Sequence, residues 1–234
     1  MFTKIGSFLG AVSFGLIVAT FTHQVMEVHN YVPPPTIEQQ MKNVVAITTD
    51  EAYCSGWVLK GTHQVVTAAH CAPADDTAVL NVDFGDGVKH PFHIQHKGDR
   101  NGVTGPDLMT LTTSDTTVHW PAGESVCTFK PYRGEALTMF GGPLAFSWTT
   151  TFGYVSQPDS DLMSRVQGLG SPMGKFDQHM IQWDGEMWPG NSGGMVIDSD
   201  TGCVMGSAEA IYMAGENVGV KFLQPASDLA IINK

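Results

Sequence analysis

Pro189-Gly190-Asn191-Ser192-Gly193-Gly194 sets a single serine in a loop with glycine on both sides. Glycine reaches backbone conformations closed to other residues, so such a loop can aim consecutive N–H groups at one point. An oxyanion developing beside the serine oxygen would be met there by the amides of Gly190 and Ser192. Alone, the stretch also reads as an ordinary glycine-rich turn. Its company decides.

Two upstream stretches supply that company. Val65-Val66-Thr67-Ala68-Ala69-His70-Cys71 passes from β-branched to small residues and ends on a histidine and a cysteine. Pro106-Asp107-Leu108-Met109-Thr110-Leu111 places a carboxylate at the mouth of a short apolar strand. A hydroxyl is a poor nucleophile near neutral pH and needs a base, which an imidazole can be. The imidazole needs a buried acceptor to fix its tautomer and stabilise the cation that forms. His70, Asp107 and Ser192 fill these roles in the order His, Asp, Ser. Other scaffolds run the same chemistry in other orders, so the order speaks to architecture as well. Asp99, in Lys97-Gly98-Asp99-Arg100, is the rival carboxylate, but it sits in a polar loop with no apolar run behind it.

Thr67-Ala68-Ala69-His70-Cys71 resembles the histidine signature of chymotrypsin-like serine proteases, and Asp107-Leu108-Met109-Thr110-Leu111 their aspartate strand. The segment from Ile181-Gln182-Trp183-Asp184 to the serine loop is more similar to bacterial HtrA-type peptidases than to digestive trypsins. The resemblance spans roughly Val44 to Pro225. It implies an all-β fold of two six-stranded antiparallel β-barrels with the active site between them. Barrel one would take about residues 43–126 and barrel two about 127–225, within a protease domain of residues 43–234. The implied activity is that of a serine endopeptidase working through an acyl-enzyme. Ser192 would be the nucleophile, His70 the base and then acid, and Asp107 its orienting partner.

The resemblance carries further expectations. A disulfide joins Cys54 to Cys71 beside the histidine, leaving Cys127 and Cys203 over. Counting back from Ser192, Glu186 falls at the base of the primary specificity pocket, with Ala208, Glu209 and Ala210 on the opposite wall. An acid there would select lysine or arginine before the scissile bond, although the HtrA-like pattern usually carries a small apolar residue. Asn191 stands where digestive enzymes keep an aspartate that pairs with a freed N-terminal amine, and the usual Ile-Val-Gly-Gly start is absent. Activity without an activating cut is therefore expected. The alternative is a catalytically inactive relative that uses the cleft as a binding or assembly module.

Composition points the same way. With 26 glycines and 13 prolines but only 15% charged residues, the chain suits a turn-rich β protein. Its net charge of −11 and lack of a basic cluster argue against nucleic acid and anionic membrane surfaces as partners. Protein or peptide substrates remain. Four cysteines, an even number, suit an exported disulfide protein. Zinc-type cysteine spacing is absent. On a strand, His90 and His96 share a face with Phe92 and Ile94 while His93 points away, which disperses them as ligands. Neither a metal nor a cofactor is expected.

Lys4 precedes a mostly apolar run from Ile5 to Phe21, and no formal charge follows until Glu27. Residues 1–29 read as an apolar helix serving as signal peptide or membrane anchor, which exports the rest to a periplasmic, extracellular or lumenal space. Residues 30–42 read as a linker: Pro33-Pro34-Pro35 is stiff, and Thr36 caps a short helix through Met41. Strands are predicted at 43–48, 55–59, 63–67, 77–84, 88–95 and 107–111, then at 136–140, 148–155, 179–183, 194–197, 202–208 and 218–223. A tight Gly85-Asp86-Gly87 turn joins the fourth and fifth, and a helix spans 225–232.

Overall fold

Runs of β-branched and aromatic residues broken by glycine and proline fold into twelve strands among the described residues of this computed structural model. It describes residues 35–50, 52–100, 105–145, 148–161, 179–213 and 219–233. The expected N-terminal apolar helix and its Pro-rich spacer lie outside the described residues. Among the described residues, no helix is long and apolar enough to cross a membrane.

Six strands close the first barrel: β1 (Val44–Thr48), β2 (Tyr53–Leu59), β3 (Gln64–Thr67), β4 (Leu80–Asp83), β5 (His90–Lys97) and β6 (Met109–Thr112). Their order around the barrel is β1-β2-β3-β6-β5-β4. The second barrel holds β7 (Ala136–Gly141), β8 (Thr149–Asp161), β9 (His179–Trp183), β10 (Met195–Asp198), β11 (Val204–Met213) and β12 (Gly219–Pro225). There the order is β10-β11-β12-β9-β8-β7. The pairings in both barrels are antiparallel.

Side-chain alternation explains three separate cores. Val45, Ile47, Val58, Val65, Leu80, Phe92 and Leu111 fill barrel one. Leu137, Met139, Val155, Ile181, Trp183, Val196 and Leu223 fill barrel two. The outward faces of some of the same strands are also apolar, and Val44, Trp57, Val66, Leu108, Phe140 and Met195 form a third core at the seam. This is why Val44-Val45-Ala46-Ile47 reads as unbroken apolar sequence: Val45 and Ile47 face the first core, Val44 faces the seam, and Ala46 is also buried. Trp57 is fully buried, and its Nε1–H donates to Ser207 Oγ across the seam at 3.0 Å. Truncating a buried aromatic of that size costs about 3–5 kcal/mol, so the two barrels are firmly joined.

Two disulfides add cross-links, Cys54–Cys71 in barrel one and Cys127–Cys203 in barrel two. At the N-terminal end, α1 (Ile37–Met41) starts with a capping box in which Thr36 Oγ1 accepts from Gln39 N–H and Gln39 Oε1 accepts from Thr36 N–H. The chain ends in a 3₁₀ turn, Ala226–Asp228, leading into the single-turn α2 (Leu229–Ile232), where one longer helix was expected.

Local side-chain bonds moved several boundaries. Asp75 Oδ1 accepts from both the N–H and the hydroxyl of Thr77, so that residue stays in a turn and β4 begins three residues later than expected. Asp83 Oδ1 then accepts from Gly85 N–H (2.7 Å) and Gly87 N–H (3.1 Å). These bonds hold residues 84–89 as a wider loop rather than a tight hairpin turn. β8 and β11 run well past their predicted ends.

Candidate active site

His70 lies in a 3₁₀ turn, Ala69–Cys71, that follows β3. Small alanines allow this turn to pack: Ala68 and Ala69 are buried, and Cys71 is tied to β2 through Cys54. Asp107 sits just before β6, the strand that pairs with β3. The pairing brings the two side chains together. His70 backbone N–H donates to Asp107 Oδ1 at 2.7 Å, and His70 Nδ1–H donates to Asp107 Oδ2 at 2.5 Å. With Nδ1 carrying the proton toward the carboxylate, Nε2 is left as the basic nitrogen. The Asp107 side chain is 5% exposed and that of His70 34%, so the acceptor is buried and the base opens to the cleft. Asp107 backbone N–H donates to Oε1 of the buried Gln224 on β12, which fastens the backbone beside the carboxylate to the second barrel.

The serine loop joins β9 to β10. Asn191 N–H donates to Trp188 O at 3.0 Å, closing a four-residue turn with Pro189 and Gly190 at its centre. Gly190 has φ +99°, so the sequence Pro-Gly matches the type II turn that needs it. The Pro189 carbonyl accepts from Leu144 N–H at 2.7 Å. A trans peptide points its C=O and N–H in opposite directions, so the Gly190 N–H faces away from Leu144. Leu144 itself adopts a left-handed φ of +52° to make this bond. Among the described residues, neither Gly190 N–H nor Ser192 N–H has a hydrogen-bond acceptor. Two neighbouring donors are thus held in place and uncommitted, the arrangement that stabilises a developing oxyanion.

Ser55 fixes the loop against barrel one. Ser55 N–H donates to Ser192 O at 2.9 Å, and Ser55 Oγ donates to Gly190 O at 2.8 Å while accepting from Gly142 N–H at 2.9 Å. Gly193, at φ +78°, fits where a Cβ would lie 2.2 Å from Thr67 Oγ1 and 2.4 Å from Ser55 O. The Cys71 sulfur lies 4.0 Å from Ser192 O, so the histidine turn and serine loop abut. Ser192 is half-buried. Among the described residues, its Oγ makes no hydrogen bond to His70. Unliganded sites often hold this bond long until substrate arrives.

The other candidate residues are less tightly drawn together. Asp99 donates its N–H to Pro106 O, while the carboxylate bonded to His70 Nδ1 is that of Asp107. Glu186 extends outward with its side chain 65% exposed, and Lys221 Nζ stands 3.9 Å from its Oε2. Ala208 is fully buried, its O accepting from Gly193 N–H (2.7 Å) and its N–H donating to Gly194 O (2.9 Å). Ala210 is half-buried, and Glu209 occupies the register shift between the two alanines. Asn191 is fully buried and neither side-chain amide atom has a partner. His90 is buried beside Asp115, its Nδ1 2.8 Å from Oδ2. Ser55, Leu144 and Gln224 were not anticipated. They act through backbone partners or at long range, and no local motif marks them.

A family model described as a trypsin-like peptidase domain matches residues 54–206. The chain belongs to the trypsin-like peptidase family. Within that family it is similar to the Arabidopsis thaliana chloroplastic Protease Do-like 8, at 29% identity over 204 residues. That match takes in 79% of this chain but 41% of the plant protein, so the chain spans less than half the length of this relative. Among solved structures, the HtrA-type protease AlgW with a tripeptide has a TM-score of 0.64 at 20% identity, covering 85% of this chain and 63% of that one. An inactive Ser343Ala form of Rv3671c from M. tuberculosis scores 0.62 at 17% identity, covering 87% and 95%. These structural likenesses are of fold. The family model meets the expectation of a chymotrypsin-like protease, and the two disulfides fit an oxidising compartment.

Proposed function

We propose that this trypsin-like peptidase is a serine endopeptidase that cleaves protein or peptide substrates through an acyl-enzyme. Ser192 Oγ attacks the scissile carbonyl as His70 Nε2 takes its proton, and Asp107 holds the imidazole and stabilises the imidazolium. The oxyanion is received by the N–H groups of Gly190 and Ser192. The same imidazolium then protonates the leaving amine, and water repeats the sequence to release the acid. The observation that carries this reading is a buried Asp107 bonded to a half-exposed His70, abutting a loop whose two amides are oriented and, among the described residues, unengaged.

Glu186 is the candidate for selecting a cationic residue before the scissile bond, in competition with Lys221 for the same carboxylate. Asn191 carries no charge, so the uncut chain is competent. Export, with residues 1–29 as signal or anchor, places the enzyme in the compartment its disulfides require.

The test is a serine-directed fluorophosphonate applied to the uncut chain, with mass spectrometry of the adduct. Labelling at Ser192 that disappears in Ser192→Ala supports the enzyme. An intact, folded protein that resists labelling supports a binding module instead.

A further inference from the structure

One titratable side chain beside this site has no part in the chemistry above. Glu209 sits at the β-bulge of β11 between Ala208 and Ala210, where the pairing with β12 slips by one residue. Ala208, its neighbour, is the strand's point of attachment to the serine loop, bonded both to Gly193 N–H and to Gly194 O. Glu209 Oε2 is buried and has no hydrogen-bond partner.

Its surroundings are wrong for a negative charge. From the segment before β6 comes Asp107, which is already committed to His70. From the C-terminal 3₁₀ turn comes Asp228, bonded through Oδ2 to Gln224 Nε2 at 2.6 Å. From β12 comes Gln224, which is neutral and spends Oε1 on Asp107 N–H and Nε2 on Asp228. Burial first, and then the charges of Asp107 and Asp228, push the Glu209 carboxyl well above the usual carboxylate range. Burial also raises Asp228, offset in part by the Gln224 bond and by His179. Among the described residues, no lysine or arginine acts on Glu209.

We propose that Glu209 is a pH-dependent positioning residue: as a neutral acid it lets the β11 bulge hold the serine loop, and on ionising it disturbs that hold. This rests on the peptidase reading of the site. An ionised carboxylate on this half-buried residue has its Oε2 buried without a donor and meets two like charges. It must turn toward water or draw the bulge outward, and Ala208 carries its bonds to Gly193 and Gly194 with it. The site is therefore competent below the Glu209 titration and loses competence above it. That loss forms an alkaline limb distinct from the acid limb set by protonation of the imidazole.

The experiment is the pH profile of fluorophosphonate labelling at Ser192, read as the ratio of rates along the alkaline limb, for wild type, Glu209→Gln and Asp228→Asn. Wild type is expected to lose about tenfold or more along that limb. Glu209→Gln, which keeps the shape and cannot ionise, is expected to flatten that limb. Asp228→Asn removes one of the opposing charges and is expected to move the limb to lower pH. A Glu209→Gln profile with the wild-type alkaline limb overturns the proposal, as does a folded Glu209→Gln that is unlabelled at every pH.

Melting temperatures separate the two levels of failure. The folded chain holds the Glu209 proton more tightly than the unfolded chain, so this group's contribution to stability is lost as pH rises through its folded pKa. Glu209→Gln should therefore gain in melting temperature relative to wild type as pH rises. A wild type unlabelled at all pH values, with that gain intact, breaks the peptidase reading alone. A difference in melting temperature that is flat across pH breaks the Glu209 assignment.

Discussion

The two barrels contribute different kinds of group to the cleft. Barrel one presents side chains, an imidazole held to a buried carboxylate by a 2.5 Å bond and by a second bond through the histidine backbone. Barrel two presents, besides the serine hydroxyl, backbone: two amides fixed by a Pro-Gly turn, a left-handed Leu144 and the hydroxyl of Ser55. Side-chain chemistry tolerates movement of a few tenths of an ångström and is lost by changing one functional group. Backbone chemistry has no functional group to remove and is lost by changing conformation. The two halves should therefore fail differently.

Asp107→Asn attacks the side-chain half and should give the larger effect. The fold and the position of residue 107 should survive, because Asn can still accept from the His70 backbone. The imidazole, however, is then offered the wrong tautomer. Turnover of a peptide substrate is expected to fall by about four orders of magnitude with an unchanged melting temperature. A fall of less than tenfold would mean that another carboxylate, Asp99 first among them, orients the base.

Gly190→Ala attacks the backbone half. The substitution forces a side chain into φ +99° and sets its Cβ 2.6 Å from Gly142 O and 2.9 Å from Leu144 N. The turn must open, and the Gly190 N–H loses its aim. Loss of one oxyanion donor costs about 10²–10³ in kcat, and KM should change less. Equal loss in kcat and gain in KM would place Gly190 in substrate binding rather than oxyanion stabilisation.

This division also explains what was legible in the sequence. His70, Asp107 and Ser192 stand in local motifs whose composition announces them, and all twelve strands fall close to their predicted places because alternation marks both faces of each barrel. Boundaries were lost where a side chain bonded its own backbone, as Asp75 and Asp83 do, since Asx turns compete with strand at no cost in apolar pattern. The pairing of Cys127 with Cys203 could not be read because it joins the connector to a strand edge 76 residues away. Ser55 was invisible for a similar reason. A serine in a strand is unremarkable until the loop it holds, more than 130 residues later, has been folded over it.

The most direct measurement is a crystal structure of the fluorophosphonate adduct of the uncut chain. Phosphorus is expected on Ser192 Oγ, with the phosphoryl oxygen about 2.7–3.1 Å from both Gly190 N and Ser192 N. The His70 ring should still be bonded to Asp107 and face the adduct. A phosphoryl oxygen directed to solvent, with the Pro189 carbonyl released from Leu144 and turned into its place, would contradict it.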